Sequence, residues 1–327
     1  MSYSKAMGDP TLAGRLKQGL SVPVIVAPMF LVSSPEMVIG ACEAGAIGAL
    51  PALNARTTGI FREWLKQVSS AQAAAPGSAP YAVNLIAHSS NSRLQDDIDV
   101  CAEFRVPLII SSVGSPRRIT EAAHSYGGLV FSDAGTVDHA RRGAAAGVDG
   151  LVLLCAGAGG NTGGLSPFSF VSEVRKFFSG PIALAGSISG GALVHFAELL
   201  GADFAMCGTA FIAAKESAAS DEYRQMLIES HADDVLLTSE VTGIPANMLK
   251  PSLERSGFKS ARTSEGFNLD HEMSTSRAWR DVWSAGHGVG EVKNVAGVRE
   301  IVAAFAASYH AARGQENVTN ELAQNVG

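Results

Sequence analysis

The sequence predicts a (β/α)8 barrel, an α/β fold, with a smaller and mostly helical cap or lid inserted after the eighth strand. Eight short apolar runs typical of buried strands alternate with helical stretches before residue 210. Hydrophobic residues make up 46% of the 327 residues and charged residues only 17%, which suits parallel strands covered on both faces. The alternation stops near Thr209, so the segment that follows does not belong to the repeat.

The predicted elements follow one another in a regular order. Strands are predicted at Val24–Ala27, Ala46–Leu50, Tyr81–Ile86, Pro107–Ser112, Leu129–Ser132, Gly150–Cys155, Pro181–Ala185 and Asp203–Cys207. Helices are predicted between them at Ser34–Ala44, Thr57–Ser70, Arg93–Phe104, Pro116–Ser125, Thr136–Ala146, Pro167–Phe178 and Gly190–Leu200. Ser34-Pro35 and Ser115-Pro116 are start signals, because each places a capping residue before a proline at the first helical position. Eight βα units with short loops imply a sheet that closes on itself.

The chain divides into three parts on this pattern. Residues 15–215 with 291–313 form the predicted barrel, residues 216–290 the cap, and residues 314–327 a polar tail that is expected to fray. The cap includes a predicted helix at Asp221–His231, and the barrel ends in an amphipathic helix at Val295–Ala312. An insertion of this kind after the last strand is expected to shape the mouth of the barrel.

Composition excludes several classes of partner. The formal net charge of −6 and the lack of a basic cluster argue against nucleic acid or an anionic membrane as partner. The start of the chain lacks a signal-peptide pattern, and the apolar run Val22–Val32 is too short to span a bilayer, so we expect a cytoplasmic protein. The four cysteines lack a C-x-x-C pair and the eight histidines lack metal-ligand spacing, which favours buried free thiols and no metal site.

Two glycine turns follow the last two predicted strands. They are Gly186-Ser187 and Gly208-Thr209, separated by about one βα unit. Loops at these positions of a barrel bind phosphate through backbone N–H groups, and a glycine lets the backbone approach the phosphate oxygens. The sequence therefore predicts a phosphorylated ligand. A cofactor phosphate and the phosphate of an isomerase or lyase substrate both fit; a colourless protein would favour the latter.

The predicted strand ends carry almost no charge. They include the polar Ser112 and the carboxylate Asp133. A site this poor in acids and bases suggests that a cofactor performs the chemistry. Several segments at these ends resemble the nitronate monooxygenase (2-nitropropane dioxygenase-like) family, and they cover roughly residues 20–310 in the same order. They are Ala27-Pro28-Met29, Val83-Asn84-Leu85, Ala156 to Gly163, Gly208-Thr209, Ala213 to Ser217, Pro245-Ala246-Asn247 and Trp283 to Gly290.

The resemblance implies an FMN-dependent barrel flavoprotein and roles for individual positions. Pro28 and Met29 would lie against the isoalloxazine ring, and Asn84 would hydrogen-bond it. The remaining cofactor contacts that it implies are Ala27, Gly159, Gly160 and Met206 around the ring, and Gly186, Ser187, Gly208 and Thr209 at the phosphate. The phosphate group agrees with the independent reading of the two glycine turns.

One position departs from the family pattern. Most members have a histidine, their presumed acid or base, where this chain has Asn161. An asparagine cannot exchange a proton at neutral pH, but its amide can hydrogen-bond a nitro or carbonyl oxygen. Asn161 is therefore expected to orient a substrate, and His287 in the Gly286-His287-Gly288 loop is the candidate that could replace the lost proton donor.

The resemblance favours an enzyme that oxidises alkyl nitronates with O2 and FMN. The alternative is an NAD(P)H-dependent reductase of quinones or enoyl thioesters on the same scaffold. A flavin-binding protein without catalytic activity also stays open because of the missing histidine. The family pattern is compatible with a homodimer.

Overall fold

Eight parallel strands form a closed barrel in the computed structural model, which describes residues 7–257 and 277–324. Part of the predicted cap, residues 258–276, and the end of the predicted tail, residues 325–327, lie outside the described residues. The barrel strands are β1 (Val24–Val26), β2 (Ile47–Pro51), β3 (Ala82–Ile86), β4 (Leu108–Ser112), β5 (Leu129–Ala134), β6 (Gly150–Leu154), β8 (Ile182–Ala185) and β9 (Phe204–Cys207). All eight predicted strands and the (β/α)8 fold are confirmed, with ends shifted by one or two residues.

The helices cover the outside of the barrel. They are α1 (Leu12–Lys17), α2 (Pro35–Glu43), α3 (Thr58–Ala74), α4 (Leu94–Glu103), α5 (Arg117–Ser125), α6 (Val137–Ala145), α7 (Pro167–Arg175), α8 (Gly191–Leu199) and α9 (Thr209–Ile212). The seven predicted helices between the strands are confirmed as α2 to α8. The sequence analysis did not assign α1, a single short helix whose Ala13 packs with the interior of the barrel.

The interior of the barrel is apolar until its carboxyl end. Alternate strand residues point inward and fill it with side chains such as Ile25, Leu108, Phe131 and Phe204. Near the carboxyl ends of three neighbouring strands the inward side chains include polar ones, at Asn84, Ser112 and Asp133. Asn84 pairs with Ile110 in the register of β3 with β4, and hydrogen bonds join the Asn84 side chain to Ser112 and Ser112 to Asp133. The polar side of the barrel is therefore confined to the end where a ligand can bind.

The cap contains both helices and strands. Its described elements are α10 (Asp221–Glu229), β10 (Val235–Thr238), β11 (Ala246–Leu249), α11 (Lys250–Ser256) and α12 (Arg277–Arg280). An antiparallel sheet joins β10 and β11 to β7 (Gly160–Asn161), a strand in the loop after β6. This sheet was not predicted from the sequence, because its strands have only two to four residues and β7 lies about 85 residues from β11.

The last helix, α13 (Val298–Gln324), completes the outer layer by packing against α8 and α2. Its buried face includes Val298, Val302 and Phe305. The helix ends at Gln324 instead of the predicted Ala312 and takes in most of the segment 314–327 that was expected to fray. No proline interrupts this polar stretch, so the helical hydrogen bonds continue beyond the packed face.

The close contact between α8 and α13 depends on a residue without a side chain. A Cβ on Gly191 would lie 1.8 Å from the carbonyl oxygen of Phe305 and 2.4 Å from the backbone nitrogen of Tyr309. We expect Gly191→Ala to lower the free energy of unfolding by roughly 1 to 3 kcal/mol, because the two helices must separate. Urea denaturation measures this. The neighbouring Gly190→Ala is the control, since its Cβ meets nothing within 4 Å; equal losses in the two variants would contradict the prediction.

The helices and the cysteines bear on two predictions about membrane spans and disulfides. Across residues 7–257 and 277–324, no helix is both long and apolar enough to cross a membrane. All four cysteines are free and buried, which confirms the sequence prediction.

Candidate functional site

A cavity of about 250 Å³ lies at the carboxyl ends of the barrel strands, below the cap. It is lined by every predicted site residue except His287. These residues are Ala27, Pro28, Met29, Asn84, Gly159, Gly160, Asn161, Gly186, Ser187, Met206, Gly208 and Thr209. The structure therefore brings together positions that are up to about 180 residues apart in the sequence.

The loop after β1 is held in place by Asn54. The Asn54 side chain donates to the carbonyl oxygens of Met29 (3.0 Å) and Ser33 (2.9 Å) and accepts from the backbone N–H of Leu31 (2.9 Å). The Met29 N–H donates in turn to Ser33 Oγ (2.9 Å). The wall formed by Pro28 and Met29 is thus fixed by hydrogen bonds within the chain.

The turn after β8 has the features of an anion site. Gly186 (φ +137°) and Ser187 (φ +56°) are consecutive residues in the left-handed region, which is costly for a serine and typical of functional turns. The backbone N–H groups of Ser187, Ile188 and Ser189 have no acceptor within the described part of the chain. A Cβ on Gly186 would lie 3.1 Å from the Ala156 carbonyl oxygen, so a side chain here would crowd the neighbouring backbone. Free donors around a tight turn are what a phosphate requires.

The glycine at position 159 is explained by the cap. A Cβ there would lie 2.7 Å from the Gly286 nitrogen and 2.9 Å from the Ala285 carbonyl carbon. The loop after β6 therefore passes close to the cap backbone at this point. Gly159 still lines the cavity, but the close approach that requires a glycine is made by the protein itself.

Asn161 lies where this loop becomes β7. Its backbone is opposite Ala246 of β11, which fixes the position of its side chain beside the cavity. The Asn161 Oδ1 atom is buried and has no hydrogen-bond partner among the described residues. A buried amide oxygen without a partner is unfavourable, so a ligand that donates a hydrogen bond here would remove that penalty.

His287 lies beside the turn after β8 and does not line the cavity. Its side chain is exposed, and its backbone N–H donates to the Gly157 carbonyl oxygen (3.0 Å). His287 Nδ1 and Ser187 Oγ lie 3.1 Å and 2.3 Å from the position that a Cβ on Gly157 would take. The imidazole is thus beside Ser187. Among the described residues, no contact joins it to the Asn161 side chain.

The loop around His287 is attached to the barrel at three points. Besides the bond to Gly157, the Gly286 N–H donates to Thr209 Oγ1 (2.9 Å) and Ser189 Oγ donates to the Gly288 carbonyl oxygen (3.0 Å). Thr209 belongs to one of the two turns that the sequence predicts to bind phosphate, and Ser189 lies two residues after the other, Gly186-Ser187.

Asn84 belongs to a polar row on the cavity floor whose other members, Ser112 and Asp133, were not assigned a role from the sequence. The Asn84 amide donates to the Ile110 carbonyl oxygen (3.0 Å) and to Ser112 Oγ (2.7 Å), and the Ser112 hydroxyl donates to the Asp133 carboxylate. Ser112 and Asp133 were recognised only as strand ends. Their shared inward position on adjacent strands was the signal that could have linked them to Asn84.

Asp133 is the ionisable group of the floor. Burial raises the pKa of its carboxyl to about 6, and the hydrogen bond from Ser112 acts in the opposite direction. The only other titratable residue among the described lining is Tyr223, and burial raises its pKa to about 12. The Tyr223 hydroxyl already donates to the Ser284 carbonyl oxygen (2.6 Å). No lysine, arginine or histidine belongs to the described lining.

The raised pKa predicts how stability changes with pH. The folded chain holds the Asp133 proton more tightly than the unfolded chain, so the contribution of this group is largest below about pH 4 and is lost as the pH rises through 6. We expect Asp133→Asn to be more stable than wild type at pH 8 by roughly 1 to 3 kcal/mol, at about 1.4 kcal/mol per pKa unit. The difference should shrink toward pH 4. Chemical denaturation at several pH values measures it, and a constant difference would refute the assignment.

The cap side of the cavity is aromatic. Trp283 is buried, stacks on Tyr223 with ring centroids 4.8 Å apart, and has the Arg255 guanidinium 3.5 Å from its ring centroid. Trp283 therefore belongs to the core of the cap. Trp279 packs against the cap and also lines the cavity beside Gly160.

Comparison with known proteins gives one family. The family model described as nitronate monooxygenase matches residues 81–302. A Mycobacterium tuberculosis protein named for a monooxygenase activity is 34% identical over 165 residues, which are 50% of this chain and 44% of that protein, so the match spans less than half of that relative. The nitronate monooxygenase of Paraburkholderia phytofirmans is 28% identical, covering 73% of this chain and 76% of its own length. A Rhodococcus jostii dehydrogenase, named for a hydroxy-methyl-oxo-octahydroindene carboxyl-CoA substrate, is 24% identical, covering 80% and 75%.

Proposed function

The chain belongs to the nitronate monooxygenase family of oxidoreductases, and we propose that it binds FMN noncovalently and oxidises alkyl nitronates with O2. The observation that carries the proposal is the cavity itself: a phosphate turn with free N–H groups at one side, and a lining without a described cationic side chain. A site of this composition needs a cofactor for redox chemistry.

The residues present fit FMN. The Gly186–Ser189 turn offers three backbone N–H groups to one phosphate, and the Thr209 hydroxyl, which accepts from Gly286, can still donate a hydrogen bond. The Asn84 amide N–H groups are used by Ile110 and Ser112, which leaves its carbonyl oxygen for a ring N–H. A single phosphate site, formed by these two turns, favours FMN over FAD. When bound, FMN would supply the electron acceptor that the side chains lack.

Asn161 is the residue that we assign to the substrate. A nitronate is an anion with two oxygens on nitrogen and has already lost its α-proton, so it needs orientation and no base. The Asn161 amide N–H can donate to one of these oxygens, while its Oδ1, which has no partner among the described residues, is left for a donor on another bound group. Trp279 lines the cavity from the cap. His287 is assigned to the phosphate side because it lies beside Ser187.

Two measurements test the proposal. The absorption spectrum of the purified protein, followed by heat release and chromatography, identifies the cofactor; FAD, or no flavin in folded protein after reconstitution, would refute FMN binding. Oxygen uptake with preformed nitronates and with neutral nitroalkanes then tests the reaction. We expect uptake with nitronates. A colourless protein would favour an isomerase or lyase that binds a substrate phosphate, and flavin without any turnover would favour a binding protein.

The alternative function is an NAD(P)H-dependent reductase of quinones or enoyl thioesters. It is favoured by the similarity to the Rhodococcus jostii relative, whose name specifies a CoA derivative. Anaerobic mixing with NADH and NADPH distinguishes the two. Fast bleaching of the flavin by either nucleotide, without oxidation of any nitronate, would establish the reductase. A homodimer and a cytoplasmic location stay predictions from the sequence.

A further inference from the structure

The cavity floor holds a carboxylate without a cation beside it. Asp133 lines the cavity, and its shifted pKa has only two causes, burial and the Ser112 hydrogen bond. Ser112 faces it from β4 and Leu154 lines the cavity from β6, so neither adjacent strand brings a charge. The Asp133 charge is therefore balanced by hydrogen bonding alone.

The rest of the described lining offers no other group that could carry a proton. Tyr223 is engaged with Ser284 and ionises only in strong base. His287 is exposed on the far side of Gly157 and does not line the cavity. Asn84, Ser112 and Asn161 do not titrate. Asp133 is partly exposed toward the cavity, so a proton from solvent can reach it.

A ring that accepts electrons in this cavity would add a second negative charge. Two electrons and one proton leave a flavin ring with one negative charge more than it had when oxidised. Two like charges in a poorly solvated site repel each other, and the weaker acid responds by binding a proton. The floor contains one group that can do so.

We propose that Asp133 takes up one proton when the ring of the bound flavin gains two electrons and releases it when the ring is oxidised again. This inference rests on the proposed FMN site. The balance is two electrons from the substrate, one proton on the ring and one solvent proton on the Asp133 carboxylate, so the net charge of the cavity does not change. Ser112 and Asn84 act as positioning residues, because their hydrogen bonds fix the carboxylate at the cavity surface.

The experiment counts protons. The midpoint potential of the protein-bound flavin is measured as a function of pH between about 7 and 8, and its slope gives the protons taken up per two electrons. We expect two protons for the wild type and one for Asp133→Asn. The control is Asp138→Asn, an exposed carboxylate at the start of α6 in the same βα unit, which should keep the count at two.

Each outcome decides something. Equal counts in wild type and Asp133→Asn, with flavin bound to both, would overturn the role of Asp133 and leave the flavin site intact. A count of one in the wild type would overturn it without any variant, which covers the case that Asp133→Asn fails to fold or to bind flavin. No flavin in the folded wild type would refute the proposed function, and the inference with it.

Discussion

Replacing Gly186 by valine is expected to weaken FMN binding by more than tenfold, or about 1.4 kcal/mol or more. Two effects act in the same direction. The residue has φ +137°, which a β-branched side chain adopts only with strain, and its Cβ would lie 3.1 Å from the Ala156 carbonyl oxygen and 3.2 Å from Cys155 Cβ. The turn must therefore move, and the free N–H groups of Ser187 to Ser189 move with it. Fluorescence titration of the apoprotein with FMN measures the loss.

The control for this variant is Gly164→Val in the loop after β7. Gly164 is exposed, and a Cβ there meets nothing within 4 Å. FMN affinity should stay within twofold or so of wild type, a change of about 0.4 kcal/mol. If Gly186→Val folds and binds FMN as tightly as Gly164→Val does, the turn after β8 does not hold the phosphate.

Asn161→His is expected to raise turnover of neutral nitroalkanes by about 100- to 10,000-fold and to change turnover of nitronates little. The neutral form must lose its α-proton, and the wild-type amide cannot accept it, whereas an imidazole at the same position can. The anion has no proton to lose, so only its orientation depends on position 161. Initial rates with matched concentrations of the two forms give the comparison.

A histidine elsewhere serves as the control for the added imidazole. Asn294→His lies on the exposed surface and should leave both rates unchanged. Equal wild-type rates on neutral and anionic forms would show that another group in the site acts as base, and Asp133 would then be the first residue to test. A large loss of nitronate turnover in Asn161→His would show that the amide itself binds the substrate.

The strands and most of the site were predictable because their signals are local. Each strand is a short apolar run. The turns at Gly186-Ser187 and Gly208-Thr209 are recognisable because each glycine directly follows such a run. The strand at Ala246–Leu249 is only four residues long, so its signal is weak; one partner, Val235–Thr238, is close in sequence, but the other, Gly160–Asn161, comes from a distant part of the chain.

The chemistry of the floor was harder to predict for a related reason. In the sequence, Asp133 is an ordinary residue at the end of a strand. Its role in the cavity depends on the hydrogen bond from Ser112, which itself accepts one from Asn84, and these bonds form only when the strands pair. The position of His287 depends on three hydrogen bonds between its loop and distant turns, none of which has a sequence signature. Contacts that only the closed barrel creates could not be inferred from spacing.

The loop 286–288 of the cap is attached directly to the turns that we propose to hold the cofactor phosphate. The proposed phosphate site and this part of the cap are therefore structurally connected. Ser189 and Thr209 each hold the loop while their own turns face the predicted phosphate. The loop 286–288 is thus hydrogen-bonded to the same turns that would be ordered by a bound phosphate. FMN bound at these turns as proposed would therefore also tighten the attachment of loop 286–288.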